Sequence, residues 1–209
     1  ASLYFHQNPY TAKGDKLLIS TPGGLATVDL ATRRIAPLVE GRVSHVVVGP
    51  KSRQVYYMKD GVVSVTHLDT RETRAIVRRP ELRSGSGLTV NADDTLLAGS
   101  YALGGERPSP PANAEPQAAA GNPLAQPPPQ ESRLEARWAQ RLPMALYTID
   151  VKTGAVRDFH QGNGDWLNHV QFSPTDPTLV MFCHEGPWHK VDRIWTIRSD
   201  GSALRLFRV

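Results

Sequence analysis

The chain has 209 residues, 40% apolar and 21% charged, with 17 Gly and 17 Pro; that is enough apolar material for a buried core and too much proline for a helical bundle. Lys and Arg number 24 against 20 Asp and Glu, a net charge of +4, which suits an anionic partner, yet no run of five or more basic residues marks a nucleic-acid surface. No apolar stretch approaches the ~20 residues of a membrane-spanning helix, so neither nucleic acid nor membrane is expected as a partner.

In chain order a unit recurs: an apolar strand, a polar turn, two further strands, an Asp-containing turn and a fourth strand. The first turn appears as Ala12-Lys13-Gly14-Asp15-Lys16 before Leu17, as Gly49-Pro50-Lys51-Ser52-Arg53 before Val55, as Asn91-Ala92-Asp93-Asp94 before Leu96, and as Ser173-Pro174-Thr175-Asp176-Pro177 before Leu179. The second turn reads Val28-Asp29-Leu30-Ala31-Thr32, Leu68-Asp69-Thr70-Arg71-Glu72, Ile149-Asp150-Val151-Lys152-Thr153-Gly154 and Arg198-Ser199-Asp200-Gly201-Ser202. Asp, Asn and Gly suit such turns because they tolerate positive φ.

The period is about 40 residues, that of a four-stranded propeller blade. The expected fold is an all-β propeller with four blades, at 1–41, 42–81, 82–162 and 163–209. Residues 102–145 interrupt the third blade as a Pro/Ala-rich insertion. Its last part, Glu131-Ser132-Arg133-Leu134-Glu135-Ala136-Arg137-Trp138-Ala139-Gln140, predicts a short helix near 131–141, stopped by Pro143.

Registering the blades on their turns places His6, His45, Ser86 and His169 ten or eleven residues ahead of Leu17, Val55, Leu96 and Leu179. These four positions predict equivalent places on the innermost strand of each blade, which lines the channel. Three imidazoles there suit acid–base work or a metal, or ordinary bonding between blades. The densest chemistry follows in blade four, where His184, Glu185, His189, Asp192 and Arg193 fall within ten residues beside Gly186-Pro187. The single cysteine, Cys183, has no partner for an internal disulfide.

Leu167-Asn168-His169, Phe182-Cys183-His184-Glu185-Gly186-Pro187, and Arg193 with Trp195 together resemble the oligogalacturonate lyase family. Tyr4-Phe5-His6-Gln7 and Lys16-Leu17-Leu18 resemble its first blade. The resemblance implies a seven-bladed propeller that cleaves short polygalacturonates by β-elimination, an acidic oligosaccharide as partner, and a cytoplasmic or alternatively periplasmic setting. It implies His169 as catalytic base. It also implies a divalent metal, Mn2+, held by three His and one Gln on blades beyond Val209, so no residue of this chain is assigned as a metal ligand. On that expectation the chain is the first part of a larger propeller and inactive alone.

The chemistry agrees with the residues. Removing the C5 proton of a uronate needs its carboxylate neutralised and a base within hydrogen-bonding reach. Imidazole suits the base near neutral pH, and Arg193 suits the carboxylate because its fork is bidentate. His184 is a candidate to bind substrate or orient the base. Glu185 reads as structural, accepting backbone N–H groups at its loop. The rival reading is a non-catalytic binding propeller of the TolB or WD-like type. A serine hydrolase is disfavoured, because Ser84-Gly85-Ser86-Gly87 lacks the spacing of a nucleophile elbow.

Overall fold

The computed structural model describes residues 8–104 and 130–207. His6 and the Pro/Ala-rich stretch 105–129 lie outside the described residues. The chain forms four antiparallel sheets in sequence order. The first holds β1 (Lys16–Thr21), β2 (Gly24–Asp29) and β3 (Ile35–Glu40). The second holds β4 (Ser44–Val48), β5 (Gln54–Lys59), β6 (Val62–His67) and β7 (Thr73–Arg78). The third holds β8 (Thr89–Val90), β9 (Leu96–Ala102), β10 (Met144–Asp150) and β11 (Val156–Gln161). The fourth holds β12 (Trp166–Phe172), β13 (Leu179–Glu185), β14 (Ile194–Arg198) and β15 (Arg205–Leu206). Each is a meander in which sequence neighbours pair, as in a propeller blade.

Two blades are irregular at the innermost position. In blade one the innermost position is represented, among the described residues, by an isolated bridge from Tyr10 to Leu17. In blade three the innermost strand is only Thr89–Val90, and a 3-10 turn over Pro80–Ser84 precedes it. Ser86 therefore lies ahead of the strand rather than on it. Its backbone N–H donates to the Ser100 hydroxyl of β9 at 3.2 Å.

The blades are held by apolar packing of sheet on sheet. Leu18, Leu25 and Val39 of blade one meet Val46, Val48, Val55 and Tyr57 of blade two. Val47, Tyr56, Met58, Val63 and Val65 of blade two meet Leu97, Tyr101, Ala145, Tyr147 and Ile149 of blade three. Ala98, Met144, Leu146 and Phe159 of blade three meet Leu167, Val170, Phe172, Val180 and Phe182 of blade four. Successive strand residues point to opposite faces. A sheet with a neighbour on both sides must be apolar at both parities: in β5, Val55 and Tyr57 face blade one while Tyr56 and Met58 face blade three. The outward faces of the end sheets carry exposed apolar side chains, Ile35 in blade one, and Met181 and Ile194 in blade four.

The second turn joins the last two strands of every blade, but its Asp residues work differently from expectation. Positive φ falls after the Asp, at Arg33, Arg71 and, as the turn's glycines suggest, Gly154 and Gly201, with Ala203 following in blade four. The Asp side chains instead accept hydrogen bonds: Asp29 from the N–H and hydroxyl of Thr32 at 2.7 and 2.8 Å, and Asp150 from those of Thr153 at 2.6 and 2.8 Å. These are Asx-type turns, in which the carboxylate replaces a backbone acceptor.

Asp69 leaves that pattern to tie blade two to blade one. Arg53 donates to Asp69 at 2.7 and 2.8 Å and to Asp15 at 2.6 and 3.0 Å, and Lys16 donates to Asp69 at 2.9 Å. Arg53 and the Thr11 hydroxyl hold the Asp15 carboxyl well below the usual carboxylate range, and Arg53 with Lys16 does the same for Asp69. A carboxyl depressed by folding stabilises above its unfolded value of about 3.9, and that contribution is lost as pH falls through the folded value. The two carboxylates are 41% and 43% exposed, so solvent screens the pair. Arg53→Ala in the full-length protein is expected to lower stability at pH 7 by about 1–2 kcal/mol. Urea unfolding should show a smaller loss near pH 3, and an equal loss at both pH values would contradict the clamp.

Candidate functional site

The site begins with a distortion of β12. Asn168 pairs with Cys183 and Gln171 with Met181, so His169 and Val170 together oppose the single residue Phe182. This is a β-bulge, and His169 occupies its left-handed position with φ 50°. Positive φ is uncommon outside Gly, although His is among the residues that adopt it more often. The innermost strand of blade two repeats the feature: Ser44 pairs with Met58 and Val47 with Tyr56, and His45 has φ 55°. The equivalence of His45 and His169 read from the turns is thus present in the backbone.

The bulge changes which residues share a face with His169's partners. Cys183 and Glu185 project from β13 on the side opposite Phe182 and His184, because strand residues alternate. Asn168 is paired with Cys183 and Trp166 with Glu185. The Asn168 side-chain amide donates to Glu185 Oε2 at 2.5 Å, and Glu185 Oε1 lies 3.9 Å from His169 Nε2. Glu185 is thus engaged by a side-chain amide and faces the imidazole, which departs from the expected role of accepting backbone N–H groups. Arg193 stands on the same side. Its charge acts on the Cys183 thiol, opposing the upward push of burial; it donates to the Gly186 carbonyl at 3.2 Å and sits 5.3 Å from the ring centroid of Trp188, which is 75% exposed. The structure therefore brings His169, Glu185, Asn168 and Arg193 to one face of blade four.

His184 points the other way, toward blade three. It stacks on Trp195 at 5.0 Å between ring centroids, touches Phe182 at 5.5 Å, and has Nδ1 3.6 Å from Asp165. Its Nε2 is buried and has no hydrogen-bond partner among the described residues. Burial pushes the imidazole below its ordinary value, partly offset by Asp165. The other two neighbours in the sequence cluster stay in the 186–193 loop, where Asp192 gives its carbonyl to the Trp195 indole N–H at 2.7 Å.

The helix of the insertion, α1 (Gln130–Ala139), caps this end of blade four. It starts one residue ahead of the expected 131–141 and ends two residues early, and Arg141 adopts φ 47° before Pro143. Arg137 lies 3.4 Å over the Trp166 ring, Glu135 pairs with Lys190, and Arg141 donates to Asp165 at 3.1 Å. The Trp138 edge fills the space beside Gly186, where a Cβ would meet it at 2.8 Å. Gly186 is therefore required for close approach. The Leu103 N–H donates to the Pro143 carbonyl at 2.8 Å, so the insertion leaves and returns at one point.

Sequence reasoning missed the juxtaposition of Glu185 and Asn168 with His169. Counting outward from Phe172 and Val180 without a bulge pairs Leu167 with Glu185; the bulge replaces Leu167 by Trp166. The usable signal was the repeat itself, since a His at the same place in two blades marked a special backbone position. Among the described residues, no group of three or more His, Cys, Asp or Glu could hold a metal ion, and no helix is long and apolar enough to cross a membrane.

Comparison with known proteins follows the same lines. A family model described as oligogalacturonate lyase matches residues 134–209. The chain is 30% identical to an oligogalacturonate lyase of Dickeya dadantii (strain 3937), over 97% of this chain and 50% of that protein. It superposes on a solved oligogalacturonate lyase in complex with manganese at a TM-score of 0.74 and 26% identity, covering 98% of this chain and 52% of the other. A putative TolB from Agrobacterium tumefaciens shares the fold at a TM-score of 0.61 and 12% identity, over 97% of this chain and 61% of the other. The chain spans about half the length of the lyases it matches.

The buried His184 generates a stability test. A histidine kept neutral by folding destabilises once the unfolded chain can take up a proton, so stability is lost as pH falls from about 6.5 toward the folded value. His184→Phe should keep the stack on Trp195 and shrink the fall in Tm between pH 7 and pH 5. His160, also pushed down by burial, retains its share. An unchanged fall in Tm would show that His184 is not held neutral.

Proposed function

We propose, on the premise that the chain is related to the oligogalacturonate lyases, that it is the part of such an enzyme that supplies the base for β-elimination on uronate oligomers. The observation that carries the reading is the His169–Glu185 pair on the face of blade four turned away from blade three, with Arg193 on the same face. In the proposed reaction His169 takes the C5 proton, the C5 electron pair forms the C4–C5 double bond, and the C4–oxygen bond breaks with its electrons leaving on the departing sugar. Arg193 pairs with the uronate carboxylate and withdraws the charge that builds at C5. Trp188 beside it offers an apolar face to a sugar ring. His184 acts from behind the sheet, as a neutral ring that fixes the end of β13.

A divalent metal, Mn2+, is part of the proposal for the whole protein, because a similar enzyme is solved with manganese. The described residues do not form a site for it, and no step of this chain's chemistry is drawn through it. The substrate is an anionic oligosaccharide, in keeping with the +4 charge, and the setting is cytoplasmic, acting on imported oligomers. Further blades would cover the outward apolar faces of blades one and four. The TolB-like alternative has only a shared fold behind it, at 12% identity.

His169→Ala in the full-length protein should abolish formation of the unsaturated product, read as ultraviolet absorbance. Arg193→Lys should lower kcat/KM about 10- to 100-fold, because a single ammonium cannot reproduce the bidentate fork. Wild-type turnover in His169→Ala would remove that residue from the mechanism.

A further inference from the structure

We infer that Trp138 of helix α1 is a positioning residue for the 186–193 loop: its indole braces the loop that carries Trp188 and Arg193, so the insertion of blade three sets how firmly blade four holds an anionic sugar. The inference rests on the proposed function for its effect on turnover, while the bracing itself stands on geometry alone.

The loop has little order of its own. It joins β13 to β14 through eight residues, against roughly two to five in most β-hairpins. Within it the Lys190 N–H donates to the Pro187 carbonyl at 2.9 Å, and Arg193 donates to the Gly186 carbonyl at 3.2 Å. A hairpin loop of this length takes the rest of its order from what packs on it.

Trp138 supplies that packing. A Cβ at Gly186 would meet Trp138 Cδ1 at 2.8 Å and Val191 Cγ1 at 3.0 Å, so the indole and the Val191 side chain converge on the first residue of the loop. Lys190 Nζ sits 5.1 Å from the centroid of the Trp138 ring and pairs with Glu135. Glu135 and Trp138 are three residues apart and share a helix face. That one face therefore touches the loop near both of its ends. The Trp138 indole N–H is buried and has no hydrogen-bond partner among the described residues. Its contribution is ring packing, which a phenyl ring can largely reproduce.

The helix is fastened in turn to the sheets. Arg137 lies 3.4 Å over the Trp166 ring at the start of β12. Arg141, just past α1, donates to Asp165 and to the Asn163 carbonyl, each at 3.1 Å, and its guanidinium lies 4.9 Å from the Trp138 ring. A helix of ten residues is marginal in isolation, so docking holds it, and helix and loop order each other. A braced loop presents Arg193 and Trp188 before substrate arrives. Without the brace the cost of ordering them falls on binding. It weighs on the substrate complex and the transition state alike, which raises KM and spares kcat.

The test uses the full-length protein with Trp138→Ala and Trp138→Phe. With a uronate oligomer, Trp138→Ala should raise KM about 10-fold with kcat within about two-fold, and Trp138→Phe should keep KM within about three-fold of wild type. Hydrogen exchange gives a readout independent of lyase activity. Amides of residues 188–193 should exchange faster in Trp138→Ala, while those of β5, β9 and β10 keep their wild-type rates. Exchange raised throughout the protein would mark general destabilisation and overturn the positioning role, as would unchanged exchange in 188–193. Faster loop exchange with unchanged KM would overturn the link to binding and leave the lyase reading intact. If Trp138→Ala does not fold, Glu135→Gln, which releases Lys190, decides by the same local exchange with a smaller increase. If the wild-type protein has no lyase activity, the proposed function falls and the exchange measurement decides the bracing: a local increase supports it, and none overturns it.

Discussion

The fold depends on apolar contact between the faces of successive sheets. Antiparallel pairing within a blade satisfies the backbone but leaves two faces, and only a neighbouring blade on each side can cover both. The interior sheets meet this demand with strands buried at both parities. In β10, Ala145, Tyr147 and Ile149 face blade two while Met144 and Leu146 face blade four. In β13, Val180 and Phe182 are buried against blade three, whereas Met181 is 38% exposed and Glu185 can be charged.

That asymmetry positions the chemistry. The face of blade four that meets blade three is given over to packing, His184 included. The opposite face carries Asn168, Glu185 and Arg193. The bulge adds the imidazole by taking His169 out of the regular ladder. Holding a non-Gly residue at positive φ costs on the order of 1–2 kcal/mol, and the packing of Leu167 and Val170 on either side sustains it. Since His45 adopts the same conformation in blade two, the bulge belongs to the repeat, and blade four adds to it the carboxylate and the arginine.

The repeat was legible because its turns recur in residue type, so β1, β5, β9 and β13 all start at the expected places. The helix near 131–141 was legible as a run of helix formers ended by Pro143. The site was legible in part. Registering the turns isolated His169, and the crowding of polar residues isolated Arg193. The partnership with Glu185 was not, because one extra residue in β12 shifts every pair beyond it. Nor was the orientation of His184, since parity within a strand does not tell which face meets the preceding blade. Helix α1 could be read as a helix but not as the cap of blade four, because its docking depends on Gly186 leaving room for Trp138.

The central claim is that this chain holds the base of a uronate β-elimination. The most direct measurement is the ultraviolet absorbance of unsaturated product formed by the full-length protein from oligogalacturonates, with and without chelator. Steady product formation that chelation suppresses and added Mn2+ restores is the expected result. Absence of unsaturated product from every uronate oligomer tried, with Mn2+ supplied, would contradict it.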